Sequence, residues 1–464
     1  MGGRLDTPYY GSDQLQENLA SIAARAQAFV RSVPVTADEI EINVQLEDQW
    51  GFYFEAGRSM PLANNPKKVT RARIFRDRHM GQAIVAGDTK EAWFQALELA
   101  ENQLRPFDEE KPAAPTSAFP VPLTFDPQLS DFACDGALLA ELSEALLDNC
   151  LHEIERVKET TSPEGGVKYG VSGAVLARSR GVQTALTGHL EALIRFDHAF
   201  SERVIQVHCP ESFLPLALMG ARAYRNRPTE VGDPRTLPLG SPMPIVIHPR
   251  VLETLLRKAG SRLFQPGVVQ FMPSGVKVAS ENLTLIDDPH LDGLRFSRSF
   301  DDAGLATRRL PLMVNGRITQ RFSSGAPLNP LRGEAGNRWY RVGEGRSLSA
   351  GFSSILVERG TSGFHELIGA RPQHVLVNNL SQIEVDEDPA GHFCARVSGA
   401  VLINGEGPNK ILPPNCLQIE GRLFGAPGGG AGLLSDVQVS RELHDTGSAI
   451  LPYLVTTWPI GLVE

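Results

Sequence analysis

In the stretch NLTLIDDPHLDGLRFSRSFDDAGLATRRLPLMVNGRITQRFSS, residues Asn282–Ser324, a β-hairpin and two acidic pairs can be read directly. Leu310, Leu312 and Val314 lead into Asn315–Gly316, and Ile318 and Gln320–Phe322 lead out. Asn-Gly between alternating runs predicts a two-residue hairpin, because a type I′ turn needs two residues tolerant of positive φ. Asp287–Asp288 precede Pro289, and Asp301–Asp302 precede Ala303–Gly304. Two carboxylates buried together push one pKa up and suit acid/base chemistry. Asp before Pro or Gly more simply makes an Asx-turn, which is the expectation on chemistry alone.

Outward from this stretch, the C-terminal part is mostly strand and turn. Ala400–Ile403 followed by Asn404–Gly405 predicts a second hairpin turn, and Gly425–Gly432 (GAPGGGAG) a flexible loop. Upstream, Pro106–Pro122 and Pro228–Pro244 each hold five prolines. Proline removes a backbone donor and fixes φ, so both stretches read as linkers rather than as helix or central strand. They divide the chain into an N-terminal α+β domain (1–112), a middle α+β domain (113–232) and a β-rich C-terminal domain (233–464).

In the first segment Leu15, Leu19, Ile22, Ala26, Phe29, Val30 and Val33 recur at helical spacing. The period then becomes two: Ile40, Ile42, Val44 and Leu46 alternate with polar residues, predicting a half-buried strand. Phe52–Phe54, Val69–Phe75 and Gly81–Val85 follow as strands, and Trp93–Leu104 as a helix capped by Asp88 or Thr89. The second segment repeats the order. A long amphipathic helix through Leu138–Val157 precedes strands at Ala174–Ala177, Val182–Thr187, Leu190–Phe196 and Arg203–Val207, then a helix through Phe213–Tyr224. The fold class is therefore α+β, with antiparallel sheets flanked by helices and a larger β-rich C-terminal domain.

Composition limits the function classes. With 45 basic and 54 acidic residues the net charge is −9, which repels a phosphate backbone unless a basic stripe is present. The nearest candidate, Lys67–Lys68 with Arg71, Arg73, Arg76 and Arg78, is broken by other residues and reads as a solvated strand face. No nucleic-acid partner is expected. Cys134, Cys150, Cys209, Cys394 and Cys416 are scattered without CxxC spacing, against a disulfide framework or zinc ribbon. The opening MGGRLDTPYY lacks an apolar signal region and no run is long enough to span a bilayer, so the expectation is a cytoplasmic protein without a membrane partner.

Familiar catalytic motifs are missing. GAPGGGAG is not followed by Gly-Lys-Ser/Thr and does not open a helix after a strand. The residues around Ser172 (GVSGA) lack the spacing of a nucleophile elbow. His152–Glu153 and His365–Glu366 have no second histidine one turn on, as an HExxH zinc helix requires. His189, His198 and His208 fall on neighbouring strands and could converge, although satisfied strand histidines are the simpler expectation.

Taken together, Thr284–Pro289, Phe300–Thr307 and Arg309–Ile318 resemble the C-terminal domain of the TldD/PmbA (TldE) family, with its "t-i-D-D-P", "f-D-d-E-G-v-x-t" and "r-x-x-l-i-x-x-G-x-l" runs. Gly333–Arg341 (GEAGNRWYR) is similar to the family's "t-G-n-a-r-r" stretch, and Phe364–Ala370 (FHELIGA) to its "x-e-e-L-I" helix. The strand and helix of Val69–Leu104 fit as well, so the resemblance spans nearly the whole chain. It implies a peptidase that matures or degrades unfolded peptides, in a family also called modulators of DNA gyrase. In that family the TldD subunit carries zinc on an HExxxH helix plus a C-terminal cysteine, and the TldE/PmbA subunit lacks those ligands.

The family's ligand helix follows the strand that corresponds to Pro244–His248, and here Val251–Gly260 holds no histidine. No cysteine follows Cys416. The resemblance therefore implies a metal-free, PmbA/TldE-like subunit of a cytoplasmic metallopeptidase heterodimer, inactive without a TldD-like partner that carries zinc. Peptide would bind extended against strand edges, with Asp301, Asp302, Gly304, Gly336 and Asn337 on the cleft-lining loops. Two other readings share the scaffold: a stand-alone homodimeric peptide-binding protein, and a biosynthetic enzyme using different chemistry.

Overall fold

Residues Glu39–Glu55 form one 17-residue strand that organises the N-terminal half. The structure, a computed structural model, describes residues 12–62, 66–106, 124–157, 162–196, 200–206, 228, 230–265, 268, 271–301, 306–322, 338–340, 348–369, 373–404, 408–426 and 430–463. The expected strands at Ile40–Leu46 and Phe52–Phe54 are thus continuous. Their strand pairs antiparallel with Lys67–Arg76 on one side and Pro163–Arg178 on the other. His79–Ala86 and Arg105–Pro106 extend the sheet one way, Gly181–Phe196 and Phe200–Gln206 the other. Strands of segments 1–112 and 113–232 accordingly share a single sheet, joined where Glu41–Phe54 pairs with Gly165–Arg178.

The two faces of this sheet differ because strand side chains alternate. Ile40, Ile42, Val44, Trp50 and Phe54 face the helices Ser12–Ser32, Lys90–Glu101, Pro127–Cys134 and Gly136–Val157. Thr89 caps the second of these helices, its hydroxyl accepting the Ala92 N–H at 3.3 Å. Asn43, Gln45, Glu47 and Gln49 lie on the opposite face.

That face is less exposed than a half-buried strand predicts, since Glu41 and Asn43 are themselves buried. Glu41 lies directly opposite Arg73 on one neighbouring strand and Arg178 on the other. Arg73 Nε donates to Glu41 Oε1 at 2.6 Å, and Arg178 Nε and Nη2 donate to Oε2 at 2.9 and 2.7 Å. Burial pushes the Glu41 carboxyl up, but the two guanidinium groups overcome this and hold it below the usual carboxylate range. Arg73, expected on a solvated basic face, is instead part of this buried ion-paired group.

The C-terminal domain is built on a second, mixed sheet with its own core. Pro242–Ile247 is central, antiparallel to Ala449–Pro459 and parallel to Gln373–Val385. This corrects the expectation that the second proline-rich stretch stays out of a central strand. Pro242 and Pro244 are tolerated because Gln373–Val385 pairs only with Ile245–Ile247, so the prolines occupy the strand's start, with a neighbour on one side.

Leu310–Val314 and Arg317–Ile318 form the expected hairpin, with Asn315 and Gly316 at φ 49° and 70°. Gly405 of the second Asn-Gly lies outside the described residues. His392–Asn404 pairs with Lys410–Leu412, so the connection is longer than a two-residue turn. Asn404 Nδ2 donates to Pro408 O at 3.0 Å, spending the asparagine on the loop. The helix expected through Phe213–Tyr224 lies outside the described residues, as does most of Pro106–Pro122. Among the described residues no helix is long and apolar enough to cross a membrane.

Candidate functional site

The polar face of the N-terminal sheet and the C-terminal domain enclose a cleft of about 650 Å³. Its floor comes from three neighbouring strands in register: Gln45, Glu47 and Gln49 lie opposite Ala174, Ser172 and Gly170, which lie opposite Ala185, Thr187 and His189. Alternation places all of these on the face away from the helices. The Ser172 and Thr187 hydroxyls are 2.5 Å apart. The His189 ring covers Gly170 so closely that a Cβ there would come within 2.7 Å of it. Glu191 Oε2 lies 3.6 Å from Lys168 Nζ and 4.0 Å from His189 Nε2. His198 and His208, the other members of the expected strand cluster, lie outside the described residues.

The opposite wall is carried by Arg257, Arg295, Phe296, Arg298, Phe352 and Ser353. Arg257 belongs to the helix Pro249–Lys258, whose Val251, Leu252, Leu255 and Leu256 are buried in the C-terminal core. Glu253 and Arg257, one turn apart, occupy its other side. Arg257 Nε donates to Glu253 Oε1 at 2.8 Å, and its terminal nitrogens donate to the carbonyls of Phe352, Ser353 and Ser448 at 3.3, 3.0 and 2.9 Å. Glu253 also accepts the Thr446 hydroxyl at 2.6 Å and that of Ser448. Burial pushes the Glu253 carboxyl up, but Arg257 and the two hydroxyls hold it below the usual carboxylate range. Phe296 packs against two guanidinium groups, Arg295 at 4.4 Å and Arg257 at 4.9 Å from its ring centre.

The acidic pairs have separate tasks. Asp287 is fully buried and accepts both the Ser353 N–H at 2.8 Å and its hydroxyl at 2.7 Å, which fixes the loop that lines the cleft. Asp288 accepts the His290 N–H at 3.1 Å, the expected Asx-turn, and lies 3.3 Å from Arg309 Nε. Each carboxylate thus has its own donors. Asp301 is fully buried and is not among the residues lining the cleft. Asp302, Gly304, Gly336 and Asn337 lie outside the described residues.

The residues on the helix do not fit the metal site that the resemblance implies for a TldD subunit. A guanidinium has no lone pair to offer, and the Glu253 carboxylate already accepts from Arg257, Thr446 and Ser448. The nearest histidine, His248, caps the helix through Nδ1, which accepts the Arg250 N–H at 3.2 Å. Burial, reinforced by Arg250 and His444, pushes its pKa down to about 3, so it caps as a neutral ring. The Cys416 thiol donates to Pro413 O at 2.8 Å, and burial pushes its pKa up, away from the thiolate form. Among the described residues no group of three or more His, Cys, Asp or Glu side chains is placed to hold a metal ion.

Residues 240–455 match the family model of the PmbA/TldA metallopeptidase C-terminal domain. That C-terminal domain is what this part of the chain is similar to. The fold agrees over nearly its full length with solved structures. TldE from Thermococcus kodakarensis is 19% identical at a TM-score of 0.69, covering 95% of this chain and 99% of that one. Proposed modulators of DNA gyrase from Thermotoga maritima and Bacteroides thetaiotaomicron are each 15% identical, at TM-scores of 0.67 and 0.68. The first covers 95% of this chain and 100% of its own, the second 96% and 99%. At such identities the likeness is one of fold. No curated protein matches the sequence.

The sequence expectation put peptide contacts at Asp301, Asp302, Gly304, Gly336 and Asn337 and did not consider the arginine-bearing wall. Arg295, Phe296 and Arg298 were visible in the opening stretch as RFSR, but nothing local distinguishes a cleft arginine from a solvated one.

Proposed function

We propose that this chain is the metal-free, TldE/PmbA-like subunit of a cytoplasmic TldD/TldE-type peptidase, with zinc and catalysis on a TldD-like partner. The observation that carries this is the Glu253–Arg257 network. On the helix where the resemblance expects ligands, a guanidinium ties the helix to the loops at Phe352–Ser353 and Ser448. A cation in that position repels a metal ion. The cleft between the sheet and that helix holds the peptide in this reading, its extended backbone hydrogen-bonded to strand edges or loop carbonyls, which tolerates varied sequences.

The test is reconstitution. Alone, the purified chain is expected to hold no stoichiometric zinc by elemental analysis and to leave an unfolded peptide intact. Mixed with a TldD-like protein encoded beside it, it is expected to form a stable complex that cleaves the peptide. Chelator-sensitive cleavage by the chain alone would overturn the proposal. A stable homodimer that ignores every TldD-like partner would favour a peptide-binding scaffold instead.

A further inference from the structure

Three loops that are far apart in the chain converge on one guanidinium. Phe352 and Ser353 line the cleft, and their carbonyls accept from Arg257 Nη1 at 3.3 Å and Nη2 at 3.0 Å. Ser448, in a turn behind the wall, offers its carbonyl to Nη2 at 2.9 Å. Phe296, from the third loop, centres its ring 4.9 Å from the same guanidinium. The loops also hold one another. The Arg295 N–H donates to Gly447 O at 3.0 Å, and the Ser297 and Ser354 hydroxyls are 2.8 Å apart. Arg257 is thus a crosslink between the helix that carries it and the loops that build the C-terminal wall.

Glu253 sets the direction of that guanidinium. Its carboxylate accepts from Nε at 2.8 Å and is itself held by the hydroxyls of Thr446, at 2.6 Å, and Ser448. A guanidinium is planar with its donors in a fixed fork, so fixing Nε aims both terminal nitrogens at the loop carbonyls. A lysine there would keep the charge and could pair with Glu253, but has no planar fork to span the carbonyls. The fold does not depend on this crosslink. Val251, Leu252, Leu255 and Leu256 seat the helix in the core, and Phe352 packs against Phe264 and Phe322 at ring distances of 6.1 and 5.4 Å. What Arg257 fixes is the placement of the wall across from the sheet floor.

We propose that Arg257, aimed by Glu253, is the positioning residue of the peptide cleft, holding the wall of Arg295, Phe296 and Ser353 ready for an extended chain. This rests on the reading of the cleft as a peptide site and names the residue that preorganises it. Two measurements on the full chain test it. One is fluorescence anisotropy with fluorescein-labelled oxidised insulin B chain as the probe. The other is hydrogen exchange read by mass spectrometry at segments 294–298 and 352–355, with the hairpin strand Leu310–Val314 as reference. Arg257→Lys is expected to bind the probe roughly tenfold more weakly, because the loops must then be ordered on binding. It should exchange faster at both wall segments while the hairpin keeps its native rate. Glu253→Gln, which leaves Nε a carbonyl oxygen to donate to, should fall between Arg257→Lys and the native chain in both measurements. Native affinity and native exchange in Arg257→Lys overturn this inference and leave the peptide site standing. Faster exchange with native affinity confines Arg257 to loop stability and overturns it too. Weaker binding with native exchange makes Arg257 a direct peptide contact, and faster exchange at the hairpin as well makes the effect a general loosening; either overturns the positioning role. Failure of the native chain to bind the probe removes the peptide site itself, and this inference with it.

Discussion

Glu41 shows how a single side chain can reverse the expectation for its strand. An alternating Ile-Glu-Ile-Asn pattern reads as one wet face, yet Arg73 and Arg178 sit opposite Glu41 in register and let it be buried. Removing one partner from a buried ion-paired group leaves a charge uncompensated, at a cost of about 3–5 kcal/mol. Glu41→Ala is therefore expected to lower the unfolding free energy by about that amount in urea titrations, because it leaves both arginines buried without their anion. The pH dependence has a definite sign. Glu41 and Glu253 are both held below the ordinary 4.5, so they bind fewer protons folded than unfolded. Their contribution to stability is present above pH 4.5 and is lost as pH falls through their folded-state values. Asp445 opposes this: burial, with Glu253 adding to it, raises its pKa above 3.8, so its contribution declines as pH rises through the raised value. Melting temperatures across the acid range should therefore fall more steeply for the native chain than for Glu253→Gln.

At the scale of elements, the Leu310–Val314 hairpin was legible because its turn chemistry is local. Asn315 and Gly316 both adopt positive φ, and a Cβ on Gly316 would approach Ala279 O to 2.2 Å. Gly316→Ala is expected to destabilise the chain by about 1–3 kcal/mol, visible as a lower thermal midpoint. The helix Pro249–Lys258 was placed instead by the resemblance, as the element that follows the strand at Pro244–His248. Of the second Asn-Gly, Gly405 lies outside the described residues, while the strands on either side, His392–Asn404 and Lys410–Leu412, pair antiparallel. Pro242 and Pro244 entered a central strand because a missing N–H matters only where a neighbour needs it.

For the molecule as a whole, the consequence of two sheets is the cleft between them. Its floor needs small side chains, so Ala185→Trp should fill the cavity and abolish peptide binding by anisotropy, with the circular dichroism spectrum unchanged. Intact binding by that variant would place the peptide elsewhere. The sequence by itself determined the α+β class, the apolar faces of the helices, the Leu310–Val314 hairpin and the absence of histidine from Val251–Gly260. Each is written within a few residues, where hydrophobic period, turn chemistry and ligand identity act directly. The tertiary structure alone decided that Arg73 and Arg178 meet Glu41, that Asp287 holds Ser353, and that Gln45, Thr187, Arg257 and Arg298 face one cavity. Those contacts join residues far apart in the chain. They follow from strand register and burial, which local propensity does not encode.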